Sequence, residues 1–163
     1  MPKKVYLETS FFSFLYDQRT TPAIVARREW TEEWWNFHRT QYELIIGEDV
    51  LVELSQGKLP HRQQALNLAR TLSRVANTKA TAEVVTAYLH HRLMPRDPLA
   101  DASHLALASI HKCDFLLTWN CRNLANANKF GHIRRVNALL GLHVPSLVTP
   151  LELLEDTVDD ADR

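Results

Sequence analysis

Short apolar runs alternate with longer stretches of three-to-four-residue periodicity along this chain. Val5-Tyr6-Leu7 is a run of strand-forming residues, ended by Glu8-Thr9-Ser10, after which Phe11, Phe14 and Leu15 begin a helical face. Thr9 or Ser10 is the expected cap of that helix. Over 21–39, Ile24, Arg27, Trp30, Trp34 and Phe37 fall on helical spacing. Trp30, Trp34 and Trp35 cannot all share one narrow stripe; core packing is their expected use, with a partner or dimer surface as the alternative. Glu43-Leu44-Ile45-Ile46 is a second strand stopped by Gly47. Glu48 or Asp49 is the expected cap of a helix carrying Val50, Leu51, Glu53 and Leu54.

Further helices are predicted over 61–72, 81–93 and from an Asp97-Pro98 start to about 110, with a weak strand at 74–76. Asp114-Phe115-Leu116-Leu117-Thr118 is the strongest strand. A helix over about 124–140, a short strand over 144–148 and a helical turn over 151–154 complete the pattern. Strands alternating with helices predict an α/β fold: a three-layer α/β/α domain around a mostly parallel sheet of four to five strands.

Composition adds little to that picture, but charge changes it. The chain of 163 residues is 45% hydrophobic, which suits one soluble domain, expected over 1–154. Net charge is zero, yet the last twelve residues hold six acids and one base. The body is therefore moderately basic, which is compatible with a nucleic acid partner, and 155–163 reads as an acidic tail. No apolar run approaches the ~20 residues of a membrane span. Met1-Pro2-Lys3-Lys4 leads into a strand and not an apolar leader, and Cys113 and Cys121 lack a metal-ligand pattern. A cytoplasmic protein with reduced thiols is expected.

Glu8 stands where a core strand meets its loop, the place where open parallel sheets bind ligands. Glu53 lies in the helix after the second strand, Asp101 in the first turn of another helix, and Asn120 just past the strongest strand. Parallel topology lets these four converge. Converging carboxylates repel, and burial raises the cost of keeping them charged, so a divalent cation with hard oxygen ligands resolves the conflict. Each acid also has a structural use alone: Asp101 complements a helix dipole, and Glu53 suits a solvated helix face.

Residues 5–12 (VYLETSFF), Glu53, residues 101–108 (DASHLALA) and residues 116–120 (LLTWN) resemble the successive motifs of a PIN domain. The resemblance spans most of the chain and is closest to the VapC-like bacterial proteins, the ribonuclease toxins of type II toxin–antitoxin pairs. It implies cleavage of RNA with Mg²⁺ or Mn²⁺, with Glu8, Glu53, Asp101 and Asn120 as the catalytic set. Glu8 and Asp101 are expected at the metal, and Ser10 and Thr118 behind them. It also implies a cognate antitoxin protein and a homodimer as partners. Arg92, Arg96, Arg122 and Lys129 are candidate contacts to the RNA backbone. Two positions depart from the usual pattern. Glu8 stands where Asp is usual, and Asn120 replaces a fourth acid, leaving three charges and favouring a single cation.

Other chemistries fit less well. No G-x-G-x-x-G follows the first strand, which argues against dinucleotide binding. Phosphotransfer of the haloacid-dehalogenase kind wants Asp-x-Asp where Glu8-Thr9-Ser10 stands. His90 and His91 point to different helix faces, and His104 and His111 lack a third ligand, so histidine-bound zinc is not expected. The remaining alternative is a catalytically weakened module of the same fold that binds RNA or protein.

Overall fold

The centre of the molecule is the first strand. A computed structural model describes residues 1–58, 60–94 and 99–154, without the side chain of Leu99. The cap expected at Asp97, the candidate Arg96 and the tail 155–163 lie outside the described residues. Five parallel strands form one sheet in the order β3-β2-β1-β4-β5. They are β1 (Lys3–Leu7), β2 (Tyr42–Gly47), β3 (Ser73–Val75), β4 (Phe115–Leu117) and β5 (Ser146–Val148).

Alternation along the strands sorts the core into two layers. Tyr6, Ile45, Leu116 and Leu147 face one side, packed with residues of α5 (Lys79–His90), α6 (Leu99–Ile110) and α7 (Ala127–Leu139). Val5, Leu7, Ile46 and Leu117 face the other, against α1 (Thr9–Leu15), α2 (Pro22–Phe37), α3 (Glu48–Gln56) and α4 (Arg62–Ala69). This is the three-layer arrangement expected from the strand–helix alternation. Both faces of the central strands are covered, which explains why they read as unbroken apolar runs.

The tryptophans of α2 divide their roles. Trp34 is fully buried, edge-on to Phe11 at 5.6 Å and stacked on Tyr42. Trp35 is half-buried under the guanidinium of Arg39, and Trp30 stacks on Trp119. Cys113 is buried and Cys121 exposed, both as free thiols, and burial pushes the Cys113 thiol up to about 12.

Two caps differ from expectation. Glu8 itself caps α1, its carboxylate accepting from the backbone N–H of Ser10, while Thr9 and Ser10 already belong to the helix. Gly47 occupies the cap position of α3, with Glu48 and Asp49 in its first turn, where they face the positive end of the helix dipole. The last long helix starts later than expected, at Ala127, because Asn126 accepts from Asn128 N and residues 120–126 form a turn-rich loop.

The chain builds β1, β2 and β3 outward on one side, then returns to place β4 and β5 on the other side of β1. The carboxyl ends of β1 and β4 therefore flank the point where strand order reverses, the place where open parallel sheets form a ligand crevice. The register sets Leu7 beside Leu117, so Glu8 and Thr118 emerge side by side.

Candidate active site

Glu8 is 5% exposed and is held through one oxygen. Its Oε2 accepts from Ser10 N at 3.0 Å, from Thr118 Oγ1 at 2.7 Å, and from Ser10 Oγ. Both hydroxyls are oriented in turn by backbone donors, Trp119 N to Ser10 Oγ at 2.8 Å and Asn120 N to Thr118 Oγ1 at 2.9 Å. The two strand ends thus fix one edge of the carboxylate and leave Oε1 without a protein donor among the described residues. Such one-sided support holds a carboxylate ready to bind a cation.

Glu53 reaches the same place from α3. One ligand atom each from Glu8, Glu53 and His104 lies within 4.8 Å of the others. His104 is fully buried, with Nε2 2.7 Å from Glu53 Oε1 and Nδ1 2.6 Å from the hydroxyl of Tyr6. That hydroxyl also accepts from the backbone N–H of Gly47, and burial holds its proton firmly, raising the pKa of Tyr6 well above the usual phenol value. In the neutral imidazole, Tyr6 therefore donates to Nδ1 and Nε2–H donates to Glu53. Burial opposes charging of His104, but the Glu53 hydrogen bond and the negative charges of Glu8, Glu53 and Asp49 outweigh it and raise its pKa. Both ring nitrogens are engaged. His104 acts as a positioning residue for Glu53, which leaves a hard oxygen donor set suited to Mg²⁺ or Mn²⁺.

Asp101 stands in a second, linked group. Its Oδ1 accepts from Asn120 Nδ2 at 3.1 Å and its Oδ2 from Asn123 Nδ2 at 2.8 Å. The amide of Asn120 is oriented by Asn123 N, which donates to its Oδ1 at 3.0 Å, so the amide nitrogen must face Asp101. A continuous path of hydrogen bonds runs from Glu8 through Thr118 and Asn120 to Asp101. Asp101 is thus part of the same crevice, though outside the tight group of Glu8, Glu53 and His104. Asn120 is engaged as a donor to Asp101 and an acceptor from Asn123.

The basic candidates are placed unevenly. Lys129 is half-buried, with Nζ 3.6 Å from Met94 Sδ; burial lowers its pKa and the charge of Asp101 partly offsets that. Arg92 and Arg122 are exposed, Arg92 at a left-handed φ of 55°. Arg27 was not expected at the site, yet its guanidinium lies over Phe14 and Trp119 at 5.3 and 5.2 Å from the ring centres. Its position on the helical stripe of α2 carried no sign of this, because Trp119 arrives from β4.

Compared by sequence, the chain matches no family model and no curated protein. By structure it is similar to VapC20 of Mycobacterium tuberculosis, a toxin that cleaves the sarcin-ricin loop. The TM-score is 0.55 at 16% identity, over 72% of this chain and 91% of that one. The fold is that of a VapC-like PIN domain. Among the described residues, no helix is long and apolar enough to cross a membrane.

The Asn120 arrangement gives a direct expectation. Asn120→Asp sets a carboxylate against Asp101 where an amide now donates, so without divalent cation the variant should lose about 1–3 kcal/mol. That is about 2–4 °C in Tm per kcal/mol for a chain of this size. Mn²⁺ should restore more of the loss than it adds to the wild type. Thermal melts in EDTA and in Mn²⁺ check this, and identical melts for both proteins would contradict it.

Proposed function

We propose that the protein is a divalent-metal-dependent endoribonuclease that hydrolyses RNA phosphodiester bonds, acting as the toxin of a toxin–antitoxin pair. The observation that carries this reading is the convergence of Glu8 and Glu53, from separate elements, at the switch point of the sheet, with Asp101 linked to them through Thr118 and Asn120. Two neighbouring carboxylates with an unclaimed oxygen on Glu8 suit one hard cation, held by Glu8 and Glu53 with Asp101 alongside. A bound Mg²⁺ or Mn²⁺ supplies charge neutralisation at the phosphate and acidifies water.

The chain's own residues do the remainder. Ser10 and Thr118 lock the Glu8 carboxylate, and His104, backed by Tyr6, holds Glu53 at the crevice. Asn120 and Asn123 keep Asp101 oriented by their amide donors. Lys129, beside Asp101, gives a cation for the RNA backbone, with Arg92, Arg96 and Arg122 as further contacts. The reading includes an antitoxin protein that covers the site, a homodimer and a cytoplasmic location.

A second reading has one observation in its favour. Both oxygens of Asp101 already accept from amides of Asn120 and Asn123, as a module that has lost its chemistry would need. Calorimetric titration with Mn²⁺ separates the two, since a folded sample that binds no metal supports the non-catalytic module. The decisive experiment for the ribonuclease reading is cleavage of a pool of structured and single-stranded RNAs with Mn²⁺, wild type beside Asp101→Asn. The variant should stay folded and lose cleavage; cleavage equal to wild type removes Asp101 from the site.

A further inference from the structure

Beside the carboxylates lies a cavity of about 320 Å³ between the end of α1, the second half of α3 and the start of α4. That volume falls within the ~300–1,000 Å³ range of small-ligand sites. Glu53 forms part of its wall, so the cavity begins where the proposed metal site ends. The half-buried ring of Tyr16 and the buried Leu54 and Ala65 give it an apolar, partly aromatic interior.

The charged groups at the cavity are two acids, Asp17 and Glu53, and two arginines, Arg19 and Arg62. Asp17 is buried, but its carboxylate is gripped by Arg19 through Nε and Nη2, which holds it below the usual carboxylate range. Arg62 is fixed by Nη1, which donates to the carbonyls of Ser55 and Gly57. Its Nε and Nη2 have no acceptor among the described residues, and neither does the amide of the exposed Gln18. The cavity therefore has an apolar interior with one aromatic ring in its wall, a preset Arg62 guanidinium with free donors and an uncommitted amide.

We propose that this cavity is a nucleobase subsite, receiving the base of the nucleotide next to the phosphodiester at the Glu8–Glu53 edge. The inference rests on the ribonuclease reading and names how its substrate is gripped. A phosphodiester at Glu53 carries a nucleoside on each side, and Glu53 in the cavity wall puts the mouth within reach of one of them. An unpaired base can turn out of a single strand, stack on an aromatic wall and present its edge to polar groups, as single-stranded RNA recognition requires. The free Nε and Nη2 of Arg62 then supply donors for the edge of the base or a flanking phosphate. Connection to the phosphodiester at Glu53 favours a base over a side chain of a protein partner.

Gly57 allows the cavity to be filled without disturbing the fold. Its φ of −65° suits any residue, and a Cβ there meets nothing closer than Leu54 O at 3.4 Å. The test is fluorescence anisotropy of short single-stranded RNAs in EDTA, each carrying one abasic nucleotide at a successive position. The wild type should lose affinity at least about tenfold at one position and little at the others. Gly57→Leu should bind the intact and abasic RNAs alike, and Tyr16→Ala should weaken the same step. A flat abasic series in the wild type overturns the subsite, and so does a Gly57→Leu variant that keeps the wild-type pattern, as it would if the cavity served a protein partner. Cleavage with Mn²⁺ alongside a flat series removes the subsite alone. Base-dependent binding without cleavage supports the subsite and removes the ribonuclease reading, while RNA that neither binds nor is cut removes both.

Discussion

Glu8→Gln should abolish metal-dependent RNA cleavage, by about 10²-fold or more, while leaving the protein folded. The expectation follows from how the carboxylate is held. Three donors converge on Oε2 from Ser10 and Thr118, and only an oxygen can satisfy them. A glutamine must therefore turn its oxygen to that side and its NH₂ to the side where Oε1 now stands. The fold keeps its hydrogen bonds, and a donor replaces the free acceptor Oε1. Mn²⁺ affinity by calorimetry should fall together with cleavage, and Tm should hold, because one of two neighbouring negative charges has gone. Cleavage within about threefold of wild type would place the chemistry elsewhere.

Gly47→Ala should damage both stability and activity from a position that touches no substrate. A Cβ there would come within 2.5 Å of the Tyr6 hydroxyl and 2.6 Å of Leu107 Cδ1, both fully buried and closely packed. Overpacking of this kind costs about 1–3 kcal/mol. With about 2–4 °C per kcal/mol at this chain length, the fall should be plain in a thermal melt. The displaced hydroxyl is the one that orients His104, which in turn holds Glu53, so cleavage should fall by more than the loss of folded protein explains. Tyr6→Phe combined with Gly47→Ala should recover part of the stability, since the closest clash is with the hydroxyl itself. Additive losses in that double-mutant cycle would show that Leu107 alone sets the penalty.

These two positions differ in how far they could be read from the chain. Glu8 announces itself as a carboxylate directly after Val5-Tyr6-Leu7, and the motifs around Glu53, Asp101 and Asn120 point to the same crevice. Gly47 reads only as the end of a strand. Its requirement for no side chain comes from Tyr6 and Leu107, forty-one residues before it and sixty after.

His104 is the clearest residue that sequence reasoning missed. It sits inside residues 101–108, where its spacing to His111 points only to zinc and lacks a third ligand. Asp101 and His104 are three apart on α6, which puts them on neighbouring positions of one helix face. That spacing was the available signal, and what it lacked was the partner, because Glu53 lies on α3.

The periodicity of this sequence determined the α/β class, the strand–helix alternation and the two apolar faces of the sheet, because those follow from backbone geometry over a few residues. It also placed a carboxylate at the end of the central strand. Only the tertiary structure decided which acids meet: Glu8 with Glu53 and His104, and Asp101 with Asn120 and Asn123. It alone formed the cavity beside Glu53. Contacts between residues fifty or a hundred positions apart depend on strand order and register, and no local pattern encodes those.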